Sequence, residues 1–280
     1  MLAKKQQTLN LPREKEHRVW SKDILRQKVG VDQTINMYLT KDTNYQINRD
    51  TIAIYEFQKE PLLGKYKSVI FDCQKGIVLC QNSTRSLFTA FGQKCLLAGL
   101  EFQRDFASKL NLTSRNIIAT GRLAYFSLRS YNSGSIDWVS LHQMIGFRAI
   151  NISSVVFKTV PYGEVSYIFA YYDCSRYVID QISNSLVYNH ILCELLIAHF
   201  EQSLGWQVQR PKGEYLIDQP EYFHPHEPYN DLAIKPLLLE LQDKRQQRYG
   251  RCLADYLELP LLTEFHRTVY KASLRRDTLF

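Results

Sequence analysis

The sequence predicts an α+β fold in which mostly antiparallel, hairpin-connected strands surround two core helices, with additional helices at both ends of the chain. Three observations predict it. Runs rich in β-branched and aromatic residues occur in pairs joined by short turns. Two longer segments instead place apolar residues at the spacing of a buried helix face. Helical spacing then returns outside this strand-rich region. We assign residues 1–45 to an N-terminal helical extension, 46–205 to the core and 206–280 to a C-terminal linker and helical extension.

The predicted strands share a high content of Val, Ile, Tyr and Phe and are bounded by polar or glycine-containing turns. The clearest turns are Gln74–Gly76, Gly121–Arg122 and Pro161–Gly163, each of which joins two strands into a hairpin. Eight strands are predicted, over Gln46–Phe57, Lys67–Cys73, Gly76–Gln81, Asn116–Thr120, Leu123–Leu128, Trp138–Ile150, Val155–Val160 and Val165–Tyr171.

Two core helices interrupt these strands. The first begins at a Ser83 or Thr84 cap and ends near Leu110–Ser114; Gly92 and Gly99 leave open whether it is one broken helix or two short ones. The second follows a cap at Asp173 or Ser175 and runs to about Leu204, where Gly205 ends it. The terminal helices are predicted over His17–Lys28, Lys235–Tyr249 and Leu253–Ser273.

Positive charge is concentrated in one part of the chain. The 280 residues carry a formal net charge of +7, and residues 83–158 alone hold nine basic and three acidic side chains. Residues 159–202 hold one basic and five acidic side chains. A basic face attracts phosphate groups and gains affinity by releasing their counterions. The alternative interpretation is an ordinary protein with a high isoelectric point.

The sequence also predicts a cytoplasmic location. No apolar signal-peptide region follows the charged start of the chain. The most apolar window, Ile191–Phe200, is interrupted by Glu194 and His199 and is too short to span a bilayer. The six cysteines form no CxxC pair, and because no secretory signal is present we expect reduced thiols.

The sequence shows no pattern typical of an enzyme or a metal protein. It lacks GxSxG, GxxxxGK[ST], GxGxxG and HExxH motifs. The run His224–Glu227 clusters two histidines with a carboxylate, but two prolines place it in an irregular loop without a fourth ligand. We therefore predict no catalytic residue, no metal, no cofactor and no enzymatic activity.

The basic side chains of the core are the candidate functional residues. Arg122 lies at a predicted hairpin tip, and Arg129 borders the polar loop Ser130–Ser135. Hairpin tips and polar loops enter DNA grooves, where guanidinium groups contact phosphates or a narrow minor groove. The predicted DNA contacts are Arg85, Lys94, Arg115, Arg122 and Arg129, while Arg104 and Arg148 are further basic residues of the same region. For each of these residues the alternative is a solvated surface charge.

Several segments resemble the ComK family of bacterial competence transcription factors. The stretch Phe126–His142 resembles the family's aromatic strand end, Ser/Thr-rich loop and Trp-Ile/Val-Ser step with a histidine close behind. The segment Ser83–Lys94 resembles its Ser-x-Arg…aromatic…basic segment, and Tyr45–Ile54 its opening strand. Residues 116–120 and the pattern of residues 155–200 complete a resemblance that covers roughly residues 45–200.

This resemblance implies a transcription activator of DNA-uptake genes that binds paired A/T-rich boxes, largely through the minor groove, as a dimer that associates further. It matches Arg85 and Lys94 to basic positions of the family, and it implies RNA polymerase and a protease adaptor as further partners. Two positions depart from the family. Ser133 stands where the family loop has an arginine, and Tyr222–Pro225 only faintly resembles the adaptor-binding tail.

Other functions stay open at the level of sequence. A protein–protein adaptor would use the terminal helices and would show no nucleic-acid affinity at moderate salt. An RNA-binding domain would stack single-stranded bases on exposed aromatics, and the chain has no RNP-type aromatic motif. We therefore predict a DNA-binding regulator located at the nucleoid.

Overall fold

The computed structural model describes residues 9–112, 116–130, 134–208, 213–220, 232–258 and 268. The chain forms two compact units, residues 1–229 and 230–280. Unit 1 contains eleven described strands: β1 Val19–Trp20, β2 Leu39–Lys41, β3 Thr51–Glu56, β4 Ser68–Asp72, β5 Gly76–Cys80, β6 Ile117–Ala119, β7 Ala124–Ser127, β8 Trp138–Ser140, β9 Met144–Asn151, β10 Ser154–Thr159 and β11 Ile168–Tyr171. The described α-helices are α1 Lys22–Lys28, α2 Gln33–Met37, α3 Thr84–Cys95, α4 Gly99–Lys109, α5 Val178–Leu204 and, in unit 2, α6 Ile234–Tyr256.

The strands form two sheets, and the predicted α+β class is confirmed. The larger sheet has seven strands in the order β2-β5-β4-β3-β8-β7-β6, and the smaller has the order β1-β11-β10-β9. Pairing is antiparallel except for β1 with β11 and β2 with β5, which are parallel. The hairpins β4–β5, β6–β7 and β10–β11 form at the predicted turns.

The large sheet is buried on both faces, which explains why β4 and β5 read as continuous apolar runs. One face packs against the small sheet through aromatic rings. Phe71 meets Phe169 with ring centroids 4.9 Å apart, and Tyr55 stacks on Tyr171 at 4.8 Å. These contacts join the two sheets into one core.

Helix α3 covers the other face of the large sheet. Its apolar residues Leu87, Phe88 and Phe91 belong to one core cluster with residues of β3, β4, β5, β7 and β8. The Phe88 ring stacks on the Trp138 indole with centroids 3.7 Å apart. Trp138 is therefore a core residue.

Helix α5 packs beside the β6–β7 turn. Gly121 in that turn has a φ of +84°, and a Cβ at this position would lie 3.0 Å from the Cys193 Cα of α5. Both the left-handed backbone and the close helix therefore favour glycine there. Gly205 ends α5 in a left-handed conformation, as predicted.

The N-terminal segment is part of both sheets rather than a separate extension. Strand β1 pairs with β11 in the small sheet and β2 with β5 in the large one. The predicted helix over His17–Lys28 is correct only for α1, because Val19–Trp20 is extended and Lys15–His17 forms a 3-10 turn. The division between the two compact units also lies after residue 229, not at 205.

The first core helix is two helices, one of the two alternatives that the sequence left open, since Ala98 and Gly99 adopt positive φ. Three other predicted elements differ in detail. The predicted strand Trp138–Ile150 is β8 and β9, separated by a 3-10 turn at Leu141–Gln143 that carries the chain from one sheet to the other. Helix α5 begins after Tyr177, not at the predicted caps. Helix α6 continues to Tyr256, while most of the predicted Leu253–Ser273 helix lies outside the described residues.

Candidate nucleic-acid interface

Three loops from the two sheets meet at one end of unit 1. The Ser175 amide donates to the Leu128 carbonyl at 2.9 Å, and the Cys174 amide donates to the Ser153 carbonyl at 2.7 Å. The Arg129 Nε donates to the Asp173 carbonyl. These bonds join the segment after β7, the β9–β10 turn and the segment after β11. We call the surface formed by residues 83–85, 128–130, 134–136, 150–153 and 172–177 the loop end.

Arg85 and Arg129 both lie at the loop end. Arg85 is exposed in the first turn of α3, whose N-terminal amide of Ser86 is capped by the Ser83 hydroxyl. The neighbouring Thr84 hydroxyl accepts the Ile136 amide at 3.1 Å, which fixes the start of α3 beside the β7–β8 loop. Arg129 is exposed at the start of the same loop. The two arginines therefore flank a loop whose sequence, residues 129–135, has no acidic residue.

Lys94 and Arg122 lie at the opposite end of the sheet. The β6–β7 turn that carries Arg122 is at the far end of β7 from Arg129. Lys94 follows Arg85 by nine helical residues, which corresponds to ~13.5 Å along α3 and a turn of about 900°, so the two side chains lie on opposite flanks. Lys94 Nζ donates to Gln46 Oε1 at 2.7 Å.

Arg122 is already engaged in an ion pair. Its Nη1 lies 3.0 Å from the Asp218 Oδ1, and the Asp218 side chain is only 5% exposed. Such a pair holds the 3-10 turn Leu216–Asp218 against the β6–β7 turn and engages the Nη1 of the guanidinium. The five predicted contacts thus do not form one cluster: two lie at the loop end, two lie at the other end, and Arg115 lies outside the described residues.

Sequence reasoning missed Arg176. This residue is exposed, and its guanidinium lies 5.8 Å from the Tyr177 ring centroid. The backbone bond from Ser175 to Leu128 brings it beside Arg129. In the sequence, Arg176 is the one cation of the acidic segment 159–202. The signal that identifies it is the pairing of the loops, which a residue count along the chain does not contain.

The half-buried Asp137 carboxylate near the loop end is paired with a lysine. Asp137 precedes β8, its Oδ1 lies 2.8 Å from the Lys22 Nζ, and it accepts the Glu56 amide at 2.8 Å. Burial raises the pKa of the Asp137 carboxyl, against the opposing effect of the Lys22 charge. Asp173 is exposed at the loop end, where its carbonyl holds Arg129. The described loop end therefore presents three arginines, Arg85, Arg129 and Arg176.

No group of three His, Cys, Asp or Glu side chains is placed to hold a metal in the part of the chain that the structure describes. The predicted cluster His224–Glu227 lies outside it. His142 is buried between the Ala124 and Arg49 backbones, and burial lowers its pKa to about 4, so it is neutral at pH 7.

A cavity of about 350 Å³ lies between α3, α4, β6 and α5, at the end opposite the loop end. Four of its nine lining residues are leucines, and the others include Lys94, Gln103 and Thr120. Its lining contains no carboxylate and no histidine. Within the described ranges, no helix is long and apolar enough to cross a membrane.

Comparison of the chain with protein-family models, with curated proteins and with solved structures finds no match in any of the three.

Proposed function

We propose that this protein is a DNA-binding transcriptional activator of the ComK type that binds A/T-rich DNA through the minor groove. The observation that carries the proposal is the loop end, where backbone and side-chain hydrogen bonds join three loops and the start of α3 and bring Arg85, Arg129 and Arg176 to one surface. Arginine is the side chain favoured by the enhanced negative potential of a narrow A/T minor groove.

The shape of the loop end also supports this proposal. Loops and hairpin tips project from the ends of two packed sheets, so they reach into a groove while the sheets stay outside it. Two backbone bonds and the Arg129 side chain already fix the loops against each other, which lowers the entropy lost on binding. Arg85 lies in the first turn of α3, at the positive end of the helix dipole, and both the guanidinium and the dipole favour a phosphate oxygen.

The remaining parts of the proposal follow the family resemblance. We propose that the protein acts as a homodimer or higher oligomer on paired boxes, that it activates DNA-uptake genes through contact with RNA polymerase, and that it is located at the nucleoid. A protease adaptor is proposed as the partner that controls its amount. The competing function is an adaptor without nucleic-acid affinity.

The test is a gel-shift titration with a duplex that holds two A/T blocks, beside a G/C-rich duplex of equal length. Each titration is run at two salt concentrations, with and without a drug that occupies the minor groove. We expect binding that prefers the A/T duplex, weakens with salt and is displaced by the drug. Absence of binding to both duplexes at low salt contradicts the proposal and favours the adaptor.

A further inference from the structure

The hairpin formed by β9 and β10 has a composition unlike that of the other strands. From Trp138 to Gly163 the chain has no acidic residue, while Arg148 and Lys158 are both exposed on this hairpin. Arg148 pairs with Val156 and Lys158 with Gly146, so the two cations are diagonal neighbours on one face. At the ~7–8 Å spacing of such neighbours they repel each other and attract an anion.

Two large aliphatic side chains lie exposed at the tip of this hairpin. Ile152 in the turn is 74% exposed, and Ile150 at the end of β9 is 53% exposed. Single exposed aliphatic residues are common on protein surfaces. Here, however, Ile150 and Ile152 are separated by a single residue at a projecting turn, and the strands of this hairpin carry only positive charge. Minor-groove binders insert apolar side chains of this kind between base steps.

The turn holds Ile152 outward. Asn151 Oδ1 accepts the Ser153 amide at 2.9 Å, and the Ser153 carbonyl accepts the Cys174 amide at 2.7 Å. Both neighbours of Ile152 are therefore fixed. The β9–β10 register also shifts between Ser154 and Val155, which leaves Ile150 in a bulge, a device that redirects side chains.

We propose that Ile152 is a wedge that enters the minor groove and partly unstacks one base step, while Arg148 and Lys158 contact the flanking phosphates. This inference rests on the proposed function and extends it to bending of the DNA. Ser153 belongs to the loop end, so the wedge and the three arginines contact the same duplex.

The dimensions of the groove agree with a single side chain as the wedge. The minor groove is about 6 Å wide, whereas two paired strands lie roughly 4.8 Å apart before their side chains are added. The ribbon itself therefore stays outside, and the residue at its tip enters. Pyrimidine–purine steps such as TA unstack most easily, so the wedge selects a TA step inside an A/T block.

The experiment uses a duplex of about 30 base pairs with a donor and an acceptor dye at its ends, a central TA step and a 2-aminopurine beside that step. Bending raises energy transfer, and unstacking raises 2-aminopurine fluorescence. Both are read at saturating protein, so that affinity and bending are separated. The variant is Ile152→Ala, and the matched control is Met37→Ala. Met37 is 76% exposed. Its neighbour Tyr38 accepts the Ile77 amide through its carbonyl, which locates Met37 at the end of the large sheet opposite the loop end.

Wild-type protein and Met37→Ala are expected to bend the duplex and to raise 2-aminopurine fluorescence. Ile152→Ala is expected to bind about tenfold more weakly, as the loss of three partly buried carbons implies, and to lose most of both signals at saturation. An A/T duplex that lacks the TA step should be bent less by the wild type.

Three results would overturn the wedge. The first is wild-type binding without bending or unstacking, which leaves the proposed function intact. The second is unchanged bending by Ile152→Ala. The third is binding of the wild type, but not of Ile152→Ala, to anionic lipid vesicles without any DNA bending, which would make the tip a membrane contact. Absence of wild-type binding to any duplex would instead reject the proposed function.

Discussion

The division of the basic residues between two ends of the sheet leads to a quantitative prediction about salt. Substitution of Arg85, Arg129 or Arg176 by Gln removes one cation from the loop end and keeps a polar side chain. Lys94→Gln and Arg122→Gln remove one cation each from the opposite end and are the matched controls. The five variants change net charge equally, so only position distinguishes them.

The expected magnitude follows from counterion release. Each phosphate contact contributes about −0.9 to the slope of log K against log salt. Each loop-end variant should therefore make the slope shallower by about 0.9, and the triple variant by about 2.7. Over a fourfold rise in salt, this difference corresponds to a loss of affinity that is about 40-fold smaller in the triple variant.

The assay is fluorescence anisotropy with a dye-labelled A/T duplex at several salt concentrations. Because Arg129 also holds the Asp173 carbonyl, Arg129→Lys serves as a charge-retaining control, and thermal unfolding of each variant checks the fold. Equal changes of slope in the Lys94 and Arg122 variants would refute the assignment of the interface to the loop end. An unchanged slope in the triple variant would do the same.

Three predictions concern stability. Burial lowers the pKa of His142 from 6.5 to about 4, so the folded protein holds it neutral. Below pH 6.5 the unfolded chain takes up the proton first, so the free energy of unfolding should decrease as the pH is lowered. At pH 5 the loss of stability due to His142 is about 2 kcal/mol. Urea unfolding of His142→Gln should not show this loss, and parallel stability-against-pH curves for the two proteins would contradict the prediction. Phe88→Ala, which removes the ring stacked on Trp138, should lower the free energy of unfolding by about 3–5 kcal/mol, and a loss below 1 kcal/mol would be inconsistent with the described core. Arg122→Ala should cost about 2 kcal/mol because it removes the Arg122 guanidinium from the buried Asp218 carboxylate, and Arg122→Ala/Asp218→Asn should recover part of this loss in the same assay.

The central strands and helices were predictable because their signals are local. The hairpins at Gln74–Gly76 and Gly121–Arg122 combine β-rich runs with turn residues. Helix α3 combines a helical period with an N-terminal cap, and α5 combines a helical period with a glycine stop. Strands β1 and β2 have only two and three residues, and both pair in parallel with strands far along the chain. Strands this short show no alternating pattern in the sequence, because they form only by pairing with the edge strand of an existing sheet.

The candidate interface was only partly predictable for a related reason. Sequence reasoning found Arg85 and Arg129 from their neighbours along the chain, but it grouped them with Lys94 and Arg122. An extended strand separates residues that are only a few positions apart in the sequence, as β7 does for Arg122 and Arg129 at its two ends. Summing charge over residues 83–158 therefore overstates the size of the basic surface.

The loop end depends on the packing between the two sheets. Arg129 follows a strand of the large sheet, while Arg176 and Ile152 follow strands of the small one. Their relative positions are fixed by the bonds Ser175–Leu128 and Cys174–Ser153, and behind these by the stacked rings of Tyr55 and Tyr171. A substitution such as Tyr171→Leu, which touches no proposed DNA contact, should therefore weaken binding by loosening one sheet against the other. The interface is in this sense a product of the core, because neither sheet alone carries all three side chains.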